Sequence, residues 1–139
     1  MLDAYRTGDG VSWDELGDHA REGQSDASRP WFEHQLAGAL AGVEDLHERL
    51  ARPGVRVLDL GCGGGWSSIA LSRAYPGAAI HGVDIDAPSV SMAAENARAA
   101  GVADQVRFRL REYAGAAGFG EFEVLPIADF SFFRFYRLS

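Results

Sequence analysis

The stretch VLDLGCGGGWSS, residues 57–68, decides how this chain is read. An apolar run ends at Asp59-Leu60, the glycines Gly61, Gly63, Gly64 and Gly65 follow almost without interruption, and Trp66-Ser67-Ser68 opens a helical pattern. A strand that runs through a glycine-rich turn into a helix offers backbone N–H groups and the positive end of a helix dipole to a ligand. The stretch is therefore a candidate binding loop, and the residues around it must say for which ligand.

Outward from the loop, short apolar runs alternate with helical ones. VRVLDL (55–60) reads as a buried strand, and SSIALSRAY (67–75) as a helix stopped by Pro76-Gly77. AIHGVDI (79–85) is a second strand, Asp86 with Pro88 caps a helix running to Ala100-Gly101, and QVRFRL (105–110) is a third strand with Val106, Phe108 and Leu110 alternating. Strand, helix, strand, helix, strand predicts right-handed crossovers and a parallel sheet in the order 3-2-1. The expected fold class is thus α/β and Rossmann-like.

Upstream, Pro30 suits a first helical turn, and Phe32, Leu36, Leu40, Val43, Leu46 and Leu50 recur at steps of three or four. They predict an amphipathic helix of about five turns from just after Ser28 to residues 51–54. Trp13 to Ser28 is polar, with Gly17 and Gly23 as breakers, and reads as a mobile segment with one short helix. Downstream, EFEVLPIADFSFFRFYRLS predicts a C-terminal antiparallel β-hairpin turning at Ala128-Asp129. The expectation is a single domain over 1–139: an N-terminal helical segment (1–53), a cofactor-binding βαβαβ core (54–110) and a C-terminal hairpin (111–139).

Composition narrows the function. The 139 residues are 47% hydrophobic and 24% charged, ordinary for a folded protein. All 13 basic residues are arginine, and residues 1–50 hold 4 of them against 11 acidic residues. An acidic first third argues against nucleic-acid binding, which needs a basic face. No window is apolar enough for a membrane span and MLDAYRTGDG is not a signal sequence, so no membrane partner and a cytoplasmic location are expected. Cys62 is the only cysteine and His19, His34, His47 and His81 are scattered, so no metal site is expected. Cys62 reads as a small buried residue, His47 as part of a solvated helix face and His81 as a structural histidine.

Three ligand classes use a loop of this kind. A nucleoside triphosphate wants GxxxxGK[ST], and the chain has no lysine. A dinucleotide wants GxGxxG, but Trp66 stands at the third glycine, and Asp59 would repel a pyrophosphate. S-adenosylmethionine brings an ammonium and a carboxylate instead, and Asp59 can hold the ammonium. Asp84, 23 residues after Gly61 at the end of VDID, suits the two ribose hydroxyls. Ile85 would follow as an apolar contact to adenine, and Trp66 can shield the cofactor.

With these residues, VLDLGCGGGWSSIALSRAYPGAAIHGVDIDAPSVSMAAENARAAGV resembles the first two βα units of a class I S-adenosylmethionine-dependent methyltransferase, over roughly residues 30–110. The resemblance implies that Asp59, Gly61, Cys62, Gly63, Gly65, Trp66, Asp84 and Ile85 form the site for S-adenosyl-L-methionine. It makes the segment before residue 30 a lid to which Arg21 or Trp13 contributes. The chemistry implied is direct displacement at the sulfonium methyl, which needs alignment and desolvation more than a strong acid or base. No catalytic residue is assigned, and the acceptor is expected to be a small molecule. Two alternatives stand beside this reading: a catalytically inactive remnant that binds cofactor or acts as an interaction domain, and a nicotinamide-dependent reductase.

The resemblance departs from the family after the third strand. Residues 110–139 look like the family's last strands, which implies an internal deletion with a seam near 109–112. A continuous alignment would instead place Glu112 at the adenine amino group and Glu123 on a fourth strand. The shortened sheet predicts that the terminal hairpin pairs with Val57–Leu60 to cover that edge. Tyr113 and the aromatics from Phe130 to Tyr136 read as core or interface, with a homodimer through the hairpin as one outcome.

Overall fold

The computed structural model describes residues 2–8, 10–110, 122–124 and 136–138. Five helices come first: α1 (Leu2–Thr7), α2 (Trp13–Leu16), α3 (Asp18–His34), α4 (Leu36–Ala41) and α5 (Glu44–Leu50). The chain then alternates β1 (Arg56–Leu60), α6 (Trp66–Ala74), β2 (Ala79–Asp84), α7 (Ala87–Ala99) and β3 (Val106–Leu110), and the short strands β4 (Phe122–Val124) and β5 (Tyr136–Leu138) follow.

The three strands β1, β2 and β3 lie parallel in that spatial order, as expected. Val57 stands opposite Ile80, and Ile80 opposite Val106. Because strand side chains alternate, this register puts Val57, Ile80, Val106 and Phe108 on one face. That face meets α6 and α7, whose Ile69 and Ala97 are fully buried in the same cluster. On the opposite face Leu58, His81 and Arg107 are neighbours across the strands. Two glycines let this core close: a Cβ on Gly82 would stand 2.5 Å from Phe108 Cδ1, and one on Gly65 would stand 2.8 Å from Phe108 Cζ. Helix α7 starts where the sequence says, since Asp86 accepts from the Ser89 N–H at 2.9 Å and Pro88 sits in the first turn.

The first third differs from its expectation. Residues 18–34 form one helix, with Gly23 and Pro30 inside it, and the expected five-turn helix from Ser28 is broken after His34 and again at Gly42-Val43. Pro30 costs a backbone hydrogen bond, and packing of α3 onto α6 outweighs it. The early part of α3 escapes a search for apolar periodicity because its buried stripe is Arg21, Ser25, Ser28 and Phe32, polar in three positions of four. Spacing named the core all the same: Phe32, Leu36, Leu40, Leu46 and Leu50 are buried and Val43 packs against them.

Strands β4 and β5 pair with each other, antiparallel, in a two-stranded sheet of their own. Among the described residues the expected pairing of Val57–Leu60 with this segment is not seen, and β1 has a strand neighbour only in β2. The Ala128-Asp129 turn, Tyr113, Glu112, the expected seam at 111–112 and the aromatics of 130–135 lie outside the described residues, and so does the Glu123 side chain.

Candidate functional site

The carboxyl ends of β1 and β2 carry Asp59 and Asp84, and the loop 61–65 runs between them. Asp59 is held from the helix that follows the loop: its Oδ2 accepts from Ser67 Oγ at 2.5 Å and Ser68 Oγ at 2.6 Å. Burial pushes its carboxyl above the usual range, against the pull of the two hydroxyls. Asp84 is held from the loop: Oδ2 accepts the Gly63 N–H at 2.8 Å, and Oδ1 accepts the Asp86 N–H at 3.0 Å. A carboxylate has about four lone-pair sites, so both acids retain acceptor capacity.

The loop itself differs from the expected row of free donors. Gly61 and Cys62 donate their N–H groups to the Val83 carbonyl at 2.8 and 3.1 Å, Gly63 donates to Asp84, and Gly65 donates to the Cys62 carbonyl at 2.8 Å. Gly63, at φ 50°, and Gly65, at φ 78°, adopt the left-handed backbone that makes this winding possible. Four of the five loop N–H groups are thus spent inside the protein, that of Gly64 is not, and a carboxylate borders the loop on each side. This arrangement suits a ligand with a cationic group and hydroxyls, and opposes a pyrophosphate.

A cavity of about 580 Å³ opens over the loop. Of the eight residues expected to bind cofactor, Asp59, Gly61, Cys62, Gly63, Trp66, Asp84 and Ile85 line it, while Gly65 does not and instead abuts Phe108 and Ala93. Ile85 is 71% exposed, an apolar side chain at the mouth. Cys62 is buried, and that burial, with Asp59 and Asp84 nearby, pushes its thiol far above the usual range, which leaves it protonated and unreactive.

Helix α3 supplies the wall opposite the loop. Arg21 donates from Nε and Nη2 to the two oxygens of Asp86, at 2.8 and 2.9 Å, and also to Asp18 at 2.9 Å and Asp14 at 2.7 Å. The Asp86 carboxyl is held below its usual range, chiefly by Arg21 and further by Ser89. One acid therefore caps α7 and anchors α3. The lid residues Trp13 and Arg21 both line the cavity, yet the guanidinium is fully engaged with carboxylates. Sequence reasoning missed Ser25, Gly64, Ser67 and Ser68; the paired serines just after the loop were the available signal for the last two. His47 is exposed, as expected of a solvated helix face, and also bonds through Nδ1 to the Tyr75 hydroxyl at 3.1 Å. His81 is half-buried, and burial together with Arg109, Arg107 and Arg56 lowers its pKa. Among the described residues no cluster of His, Cys, Asp or Glu is placed to hold a metal ion, and no helix is long and apolar enough to cross a membrane.

Residues 51–117 match the family model described as a methyltransferase domain, a span that holds the loop, both acids and the whole parallel sheet. This span resembles a class I methyltransferase domain. A release factor glutamine methyltransferase from Rhodospirillum rubrum is 39% identical over 97 residues, which are 70% of this chain and 27% of that protein. A 23S rRNA (uracil(1939)-C(5))-methyltransferase from Acidithiobacillus ferrooxidans is 40% identical over 65 residues, 47% of this chain and 14% of that protein. The chain thus spans well under two thirds of the curated relatives it matches. A putative S-adenosyl-L-methionine-dependent methyltransferase from Methanococcus maripaludis shares the fold at a TM-score of 0.52 and 20% identity, covering 66% of this chain and 40% of the other.

Proposed function

We propose that this domain binds S-adenosyl-L-methionine in the cavity over the glycine loop and transfers its methyl group to an acceptor. One observation carries the reading: two carboxylates, Asp59 and Asp84, at the ends of adjacent parallel strands, line one cavity on either side of a loop that spends four of its five N–H groups internally. In this assignment Asp59, with Gly61 and Gly63, holds the ammonium of the methionine end. Asp84 accepts from both ribose hydroxyls, and Ile85 covers the adenine face. The sulfonium supplies an activated methyl group, so the chain's part is to align the donor and exclude water rather than to provide a strong base.

The acceptor expectation is wider than it was. The curated relatives are named for protein glutamine and for rRNA uracil, so a release-factor protein and rRNA join small molecules in the acceptor screen. No observation favours the inactive remnant. The test is calorimetric titration with S-adenosylhomocysteine, with NADH as control and Asp84→Ala as the site variant. Micromolar binding to the first ligand alone, weakened at least about tenfold in the variant, supports the reading. Binding of NADH in its place, or equal binding by the variant, would sink it.

A further inference from the structure

We infer that Ser25 of α3 is the residue by which the lid recognises the carboxylate of the ligand's amino-acid end. This rests on the reading of the cavity as an S-adenosylmethionine site and adds a specificity contact to it. The buried stripe of α3 is polar where it crosses the site, and its three polar members are not equivalent. Arg21 donates from all three guanidinium nitrogens to Asp86, Asp18 and Asp14. Ser28 donates to the Ser25 carbonyl at 3.0 Å. Ser25 is 93% buried by the complement of its 7% exposure, lines the cavity, and has no hydrogen-bond partner for its hydroxyl.

A buried hydroxyl without a partner costs stability, and natural folds rarely leave one unless something else satisfies it. The hydroxyl is aimed at the binding loop: a Cβ on Gly64 would overlap Ser25 Oγ, which explains why that position is glycine although its backbone does not demand it. One turn further along the same helix face, Arg29 stacks over the Trp66 ring at 3.9 Å, so α3 tracks the loop into the start of α6. The loop end of the cavity already has an anion for an ammonium, in Asp59. On α3, Arg21 is committed to three aspartates and Arg29 is paired with Glu33 at 3.1 Å, which leaves the Ser25 O–H as the buried donor of that helix, with the Gly64 N–H and Trp66 Nε1 unpartnered on the loop side among the described residues. In this assignment the Ser25 O–H donates to a carboxylate oxygen.

The experiment compares Ser25→Ala with the unaltered chain by calorimetry, using two probes that differ in the carboxylate: S-adenosylmethionine and decarboxylated S-adenosylmethionine. The variant is expected to bind the first roughly tenfold more weakly and the second unchanged, with no loss of melting temperature, since it removes an unpartnered hydroxyl. Equal affinity of variant and parent for S-adenosylmethionine overturns the role of Ser25 and leaves the site reading intact. So does equal weakening toward both probes, which would report a distorted cavity. Failure of the unaltered chain to bind either probe overturns the site reading and this inference with it.

Discussion

The sheet core from β1 to β3 and the helical wall of α3 are held by different physics. In the core, Ile69, Ile80, Ala93 and Ala97 are essentially inaccessible and no charged pair is needed to hold them. Along α3, the contacts that face the site are a guanidinium among three carboxylates and two serines, with Phe32 as the apolar anchor at the far end. An apolar core is non-directional and tolerates small movements; a bidentate ion pair holds one geometry or none. The difference suits a rigid platform that carries the loop and a wall that closes over it in a defined position.

The largest expected effect breaks the platform. Ile80→Ala in the central strand removes a side chain that is 1% exposed and should cost about 3 kcal/mol in urea-melt stability, because the cavity it leaves cannot collapse between two sheet neighbours. Gly82→Ala should cost about 2 kcal/mol for the opposite reason, since its Cβ would press on Phe108 and Cys62. Neither should depend on salt. A third substitution sharpens the contrast: Arg21→Met should leave the core's hydrogen-exchange protection unchanged while amides of residues 18–28 exchange faster, and should weaken S-adenosylhomocysteine binding. Equal loss of protection in β2 would show that wall and platform form one cooperative unit.

Acidity probes the same contrast with a defined sign. The Asp86 pKa is lowered in the fold, so its pairing with Arg21 stabilises above the unfolded value of 3.8 and that contribution is lost as pH falls. Asp59 goes the other way. Its raised pKa means the fold gains nothing from ionising it, and stability from this group declines as pH rises through the window above 3.8. The proposed ammonium role requires an ionised Asp59, so on that proposal affinity for S-adenosylhomocysteine should fall on acidification before α3 loses its exchange protection. The reverse order would remove Asp59 from the ammonium role. The smallest effect lies far from the site: His47→Ala deletes the bond to Tyr75 and should cost about 1 kcal/mol or less, with ligand affinity unchanged.

How much was legible follows the same division. Each boundary from residue 55 to 110 is marked by a residue whose local chemistry forces it, such as the Pro76-Gly77 stop and the Asp86 cap, and the observed elements agree to within a residue or two. The carboxylates Asp59 and Asp84 were legible because position at a strand end follows from strand length alone. In the first third, Gly23 and Pro30 read as punctuation but lie inside α3, whose stability comes from α6 and Asp86, distant in sequence. Ser25 was illegible for a related reason, since a serine in a polar segment reads as solvent until another element buries it.

The sequence by itself determined the order of the βαβαβ core, the loop and the two acids that border it, because apolar periodicity, capping and glycine backbone freedom act over a few residues. Only the tertiary structure decided that four of the five loop N–H groups turn inward, that Asp86 bolts α3 over the cavity and that Ser25 faces Gly64. Apart from the Gly65–Cys62 bond, those depend on contacts between residues 21 to 65 positions apart, and no local propensity encodes a partner at that distance.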